Sequence, residues 1–305
     1  MDKANINRDL SYFESLWEYR KNDGFKHTPE IWDSRAEDWN KELAQDGPFR
    51  KSLTERVDQV SGYLRSRGLL GAGTEVLDIG CGVGRFMAEF AKTAGHVTGI
   101  DLSPRMLEVG AAHGKASGLD NLTYLPGDFG EFDIDGLGWN GKFDLVFTSI
   151  TPAIGTMETL KKAMAISRGY CFNSSFIRWE DELEARIGRE VFNREYNPSP
   201  ASQGRVFYAL FNMLWLMGYF PETSYHMQEQ CEHAEANEDL ARYYAKCFSA
   251  DMMADEESVQ QVYQYLRTHA EADGTILRAY KRWYGWILWD IRKQTDRNGI
   301  SQEEL

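Results

Sequence analysis

The sequence predicts an α/β protein: a doubly wound, mostly parallel sheet of seven strands. A helical cap precedes the sheet, and a helical insertion separates its last two strands. Three observations carry this. Short apolar runs alternate with helical patterns between residues 75 and 172, and short links join them. A glycine cluster follows the first run directly. The second run ends in an acid, Asp101, at what becomes the same edge of a parallel sheet.

The first 70 residues read as a helical cap rich in aromatics: Tyr12, Phe13, Trp17, Tyr19, Trp32 and Trp39. Leu53, Val57, Val60 and Leu64 recur at helical spacing and stop at Gly68. The strands are expected at Glu75–Ile79, His96–Ile100, Leu122–Leu125, Phe143–Thr148 and Gly169–Phe172. Helices are expected through Phe86 and Phe90, over Met106–Ala116 and over Met157–Ile166. The sheet-forming core is thus expected over residues 71–180, with the remaining helices and closing strands over 181–305. Glu180–Phe192 reads as a charged amphipathic helix, Asn197–Pro200 as a loop, and Val206–Met217 as an apolar helix ending near Gly218. A sixth strand is expected at Thr223–Gln228 and a last one at Tyr284–Trp289. The insertion, about 230–272, holds helices near Glu238–Phe248 and Glu256–His269.

Lys and Arg number 34 against 47 Asp and Glu, a net charge of −13. An acidic surface repels phosphate backbones, so no nucleic-acid partner is expected. The densest basic stretch, Arg278–Arg282, reads equally as a solvated face. Four isolated cysteines, an N-terminus without an apolar core and no long apolar run point to a cytoplasmic protein with reduced thiols and no membrane contact. No histidine or acid spacing suggests a metal.

The chemistry concentrates at Asp78-Ile-Gly80-Cys81-Gly82-Val-Gly84. Glycines at a strand-to-helix turn let backbone approach a ligand. The third glycine falls one residue early for a dinucleotide fingerprint, and Asp78 is a poor neighbour for a pyrophosphate but suits a cation. Asp101 is placed to accept two ribose hydroxyls, or else to cap the helix opened by Ser103-Pro104. Gly127-Asp128-Phe129, after the third strand, is placed to read an adenine amino group, or else forms a turn.

Together these segments resemble the successive motifs of class I, Rossmann-like S-adenosylmethionine-dependent methyltransferases. The resemblance is specific over roughly residues 74–150. It implies that Gly80, Cys81, Gly82 and Gly84 approach the methionine part of the cofactor, with Asp78 near its ammonium. It implies Asp101 on the ribose, Leu102 and Met106 around the adenine, and Gly127, Asp128 and Phe129 at the adenine edge. Thr148 would face the methyl group. Trp32 and Trp39, seven apart and so able to share one face of an N-terminal helix, are expected to fold over the cofactor, with Arg35 between them pairing its carboxylate; a packing stripe on the core edge is the structural alternative. The fourth strand ends Thr148-Ser-Ile-Thr-Pro152 and lacks the Asn/Asp-Pro-Pro-Tyr/Phe signature of enzymes that methylate planar amides and exocyclic amines.

The expected activity is in-line methyl transfer to a small-molecule acceptor, with S-adenosylhomocysteine as product. A non-catalytic binding protein and a protein or RNA methyltransferase are the alternatives. The general base is not legible. His27, His113, His226, His233 and Tyr12 are candidates, while His96 and His269 read as surface or strand-edge residues.

Overall fold

A computed structural model describes residues 3–18, 27–44, 48–194, 204–249 and 254–295. The expected loop at 197–200 and Tyr19 lie outside them. The sheet runs in the order β3-β2-β1-β4-β5-β7-β6. Its strands are β1 (Glu75–Ile79), β2 (His96–Asp101), β3 (Leu122–Pro126), β4 (Phe143–Ser149), β5 (Ser167–Asp181), β6 (Glu222–Glu235) and β7 (Thr275–Asp290). Neighbouring strands from β3 to β5 pair parallel, and β7 runs against both β5 and β6. The expected seven-stranded, mostly parallel sheet is therefore present.

Helices cover both faces. On one lie α3 (Pro48–Ser66) and α4 (Arg85–Ala91), packing Val60, Leu64, Phe86 and Phe90 on Phe147, Phe172 and Trp286. On the other lie α1 (Lys3–Glu18), α6 (Met157–Ile166) and α8 (Arg205–Leu216), where Trp17, Leu160, Leu210 and Met213 bury against Val146, Cys171 and Ile287. Helix α2 (Pro29–Ala44) lies on α5 (Pro104–Ala116), with Ala36 against Val83 and Met106. The apolar stripes legible at 3.6-residue spacing are the faces that bury.

The closing strands differ from expectation in length. β5, β6 and β7 hold 15, 14 and 16 residues, each running well past its apolar stretch. The three strands extend together beyond the carboxyl edge of the sheet, and the expected helix at Glu180–Phe192 starts only at Glu182, as α7 (Glu182–Glu190). The insertion, α9 (Glu238–Cys247) and α10 (Glu256–His269), packs with α7 on this extension. The resulting second small core includes Leu183, Ile187, Tyr244, Val259, Val262 and Leu266. Polar residues in the strand ends, such as Glu229, Gln230 and Arg282, hid this length: a strand between two packed layers alternates faces, not polarity.

Candidate functional site

The carboxyl ends of β1, β2 and β4 form the first half of the site. The β1–α4 turn needs glycine at Gly80, whose φ is 73°. A Cβ there would stand 2.0 Å from the Thr151 hydroxyl, so backbone alone fits beneath Thr151. Thr151 follows Ile150, a β-branched residue at φ 51°. Strain of this kind persists only where the surroundings hold it, and it gathers at functional edges. Gly82 and Gly84 are also left-handed, at φ 54° and 69°.

Asp78 is 2% exposed. Burial, and secondarily the charge of Asp101, push its carboxyl well above the ordinary range. Cys81 is raised for the same reasons, burial first. A carboxyl kept from ionising by its surroundings gains most from a cationic ligand. Asp101 accepts from the Gly82 amide (2.8 Å) and the Ser103 amide (2.9 Å). It does not cap α5; Ser103 does, accepting from Met106 N at 3.0 Å. Asp101 thus ties the glycine turn to the end of β2, and burial raises its pKa against those hydrogen bonds. Leu102 beside it is partly exposed, while Met106 is buried.

Asp128 is exposed and caps a short 3-10 turn, accepting from the Gly130 amide at 2.8 Å. The turn alternative is thus realised for its side chain. Gly127 N donates to the Asp101 carbonyl (2.9 Å), which fixes this turn next to β2, and Phe129 is buried.

Thr148 is placed differently from expectation. Its hydroxyl donates to the Phe172 carbonyl (3.0 Å) and accepts from Asn173 Nδ2 (2.9 Å). It lines a small interior space with Val146, Ile154 and Leu160, on the α6 face. Strand alternation puts Thr148 inward on that face and its neighbour Ser149 on the other. Ser149 Oγ, and Ser174 Oγ opposite it on β5, are buried without a hydrogen-bond partner.

Helix α2 lies over the turn. A Cβ at Gly82 would stand 3.6 Å from the Trp39 ring. Asp33 accepts from Ser103 Oγ (2.5 Å) and from Arg105 N (3.2 Å), which docks α2 on the start of α5. Trp32 stacks on His27, and the Arg35 guanidinium lies 5.1 Å from its ring centre. Trp39 stands against the turn, and Asp33 docks α2 on α5. The spacing of seven between the two tryptophans did not distinguish them.

The candidate bases are dispersed. His113 meets Arg85 (3.3 Å), His233 meets Glu271 (3.1 Å), and His226 lies flat on Trp286, ring centres 3.5 Å apart. Burial lowers the pKa of His113 and of His226.

The second half of the site is the strand extension. Arg278 and Arg282 are not a solvated face: the Arg278 side chain is 13% exposed and Arg282 is 8% exposed, while Lys281 between them points outward. Asp181 caps α7 and accepts from the Tyr244 hydroxyl (3.2 Å). Glu184 lies beside it, and burial, then the charge of Asp181, push its carboxyl up to about 7. The period-2 series Arg278, Tyr280, Arg282, Tyr284 was the signal for this row.

The sheet order with a reversed β7 and the glycine turn beside two acids at one edge are the arrangement expected of a class I, Rossmann-like methyltransferase domain. Residues 76–167 match the family model described as a methyltransferase domain. Among curated proteins, the chain is 37% identical over 90 residues to 23S rRNA (uracil(1939)-C(5))-methyltransferase RlmD of Shewanella amazonensis, covering 30% of this chain and 20% of that protein. It is 33% identical over 87 residues to the RlmD of Alcanivorax borkumensis, covering 28% and 19%. The chain thus spans about a fifth of the length of the curated relatives it matches. Among solved structures it is similar to magnesium protoporphyrin IX methyltransferase (ChlM) of Synechocystis PCC 6803 with bound S-adenosylhomocysteine. The TM-score is 0.48 at 15% identity, over 85% of this chain and 96% of that one. Among the described residues, no group of His, Cys, Asp and Glu is placed to hold a metal, and no helix is long and apolar enough to cross a membrane.

Proposed function

We propose that the chain transfers a methyl group from S-adenosylmethionine to a small-molecule acceptor held between the glycine turn and the strand extension. The observation that carries this is the buried, high-pKa Asp78 beside a turn stripped of side chains at Gly80, Gly82 and Gly84. That is a cradle for a cation that backbone must approach closely. Asp78 would hold the ammonium, Asp101 the ribose hydroxyls, and the Phe129 amide and Asp128 the adenine. Leu102 and Met106 pack around that ring. Trp39 and Thr151 exclude water from the turn. The cofactor supplies an activated methyl on a sulfonium: a bond from the acceptor's nucleophile to the methyl carbon forms as the methyl–sulfur bond breaks, and S-adenosylhomocysteine leaves. Alignment in such a pocket supplies about 7–11 kcal/mol in favourable cases.

An RNA acceptor is the second reading, favoured by the name of the curated relatives. Their likeness is confined to about 30% of this chain. Against it stand the net charge of −13 and the densest basic stretch, where Arg278 and Arg282 are turned inward and only Lys281 points outward. Isothermal titration with S-adenosylmethionine, with NAD as control, tests the cofactor. Micromolar binding to S-adenosylmethionine alone is expected, and no binding to folded protein would remove the proposal. Titration with a ribosomal RNA fragment at low salt separates the acceptor readings: tight, salt-dependent binding would favour RNA.

A further inference from the structure

On the face of the extension that continues toward α4, β7 presents Arg278, Tyr280, Arg282 and Tyr284. Trp179 of β5 and Gln228 of β6 stand directly across from Arg282. Helix α3 is docked here: Gln228, 5% exposed, donates to the Ser52 carbonyl (3.0 Å) and accepts from Ser52 Oγ (3.0 Å). One turn on, Arg56 lies over two rings, 5.6 Å from the centre of Phe86 and 5.6 Å from that of Tyr284. Phe86 opens α4 just after the glycine turn, so Arg56 spans from the cofactor edge to the extension.

Arg278 has carboxylates for partners, Asp181 at 3.9 Å and Glu232 at 3.8 Å. Arg282 has none. Its guanidinium is clamped between Trp179 (4.2 Å) and Tyr280 (4.3 Å), with Nε buried and unpartnered. Arg56 Nε is also buried and unpartnered; burial and the like charge of Arg282 both lower its pKa, against the Tyr284 hydroxyl. Among the described residues, neither of these two interacting guanidiniums has a carboxylate in ion-pair contact. Removing a cation from water without a counter-charge is costly. Planar guanidinium forks match oxyanions, and aromatic clamps hold them aimed.

We propose that Arg282 and Arg56 form an oxyanion-recognition pair, so that the methyl acceptor is an organic anion bearing a carboxylate or a phosphate. This rests on the methyltransferase reading for the acceptor's role, while the anion site itself does not. The test is isothermal titration of the full chain, with and without saturating S-adenosylhomocysteine, using benzoate, phenyl phosphate and neutral benzamide. One of the two anions is expected to bind at least tenfold more tightly than benzamide, and which one names the oxyanion. Arg282→Met is expected to weaken that anion at least tenfold while S-adenosylhomocysteine affinity stays within twofold, which also reports that the variant is folded. Arg56→Gln provides the second variant, with the same expectation. Equal binding of benzamide and the anions, no anion binding, or full anion affinity in both variants would overturn the pair. Failure of S-adenosylhomocysteine to bind the unaltered protein would instead overturn the methyltransferase reading, and the anion titration would still decide the pair.

Discussion

The cofactor edge and the strand extension are opposites in charge and alike in design. At the edge, Asp78 is buried with another carboxylate for company and no cation. On the extension, Arg282 is buried between rings with no carboxylate in ion-pair contact among the described residues. In each region the surroundings disfavour a charge: that of Asp78 through burial and Asp101, and that of Arg56 through burial and Arg282. Native proteins pair buried charges for stability, so a group left unpaired marks a place where stability is given up for binding. In the proposed reading, a cation suits the glycine turn and an anion suits the extension.

The turn offers the sharpest way to break this contrast. Gly80→Ala places a Cβ within 2.0 Å of the Thr151 hydroxyl at a left-handed φ of 73°. S-adenosylhomocysteine binding should fall by more than 100-fold and stability by about 3 kcal/mol, read by titration and urea unfolding. A variant that binds normally would show that the turn does not cradle the cofactor.

Asp101→Ala comes next. Loss of a charged acceptor costs about 1.5–3 kcal/mol per hydrogen bond, so cofactor affinity should fall roughly 10- to 100-fold. Unchanged affinity would leave Asp101 as only the tie between Gly82 and Ser103.

Glu184 tests the extension. Its folded pKa of about 7 lies above the ordinary glutamate value of 4.5, so the folded state holds the proton more firmly. The stability from this group is complete below the unfolded pKa and is lost as pH rises through about 7. Glu184→Gln should therefore be more stable than the unaltered protein at pH 8, by on the order of 2 kcal/mol, and the gap should close near pH 5. A gap independent of pH would show that burial of the carboxyl is not the cause.

The smallest effect is expected at Asp78. Asp78→Asn removes a disfavoured charge, and should raise stability of the unliganded protein by about 1 kcal/mol while weakening S-adenosylmethionine. If thermal unfolding instead moved to lower temperature, Asp78 would be a structural acid and the contrast with Arg282 would lose one side.

Much of the architecture was written in local pattern. The runs at β1 to β4 and the stripes on α3 and α8 are apolar at the period their structure requires, so each element announces itself within a dozen residues. The glycines, Asp78 and Asp101 were legible because a turn's backbone demands are local. The far halves of β5, β6 and β7 were not, since their residues are polar on both faces. They are strands because α3, α7 and α9 cover one side and because each pairs with its neighbour over more than ten positions.

A strand, a glycine turn and an acid at the end of the next strand follow from neighbours in the chain, so the proposed cofactor end was legible locally. The extension was not. Whether Arg282 faces water or two rings depends on Trp179, more than a hundred residues away, and Arg56 meets it only because Gln228 anchors Ser52. Burial, and with it the meaning of a charge, is set by what packs on top, and that information is not local.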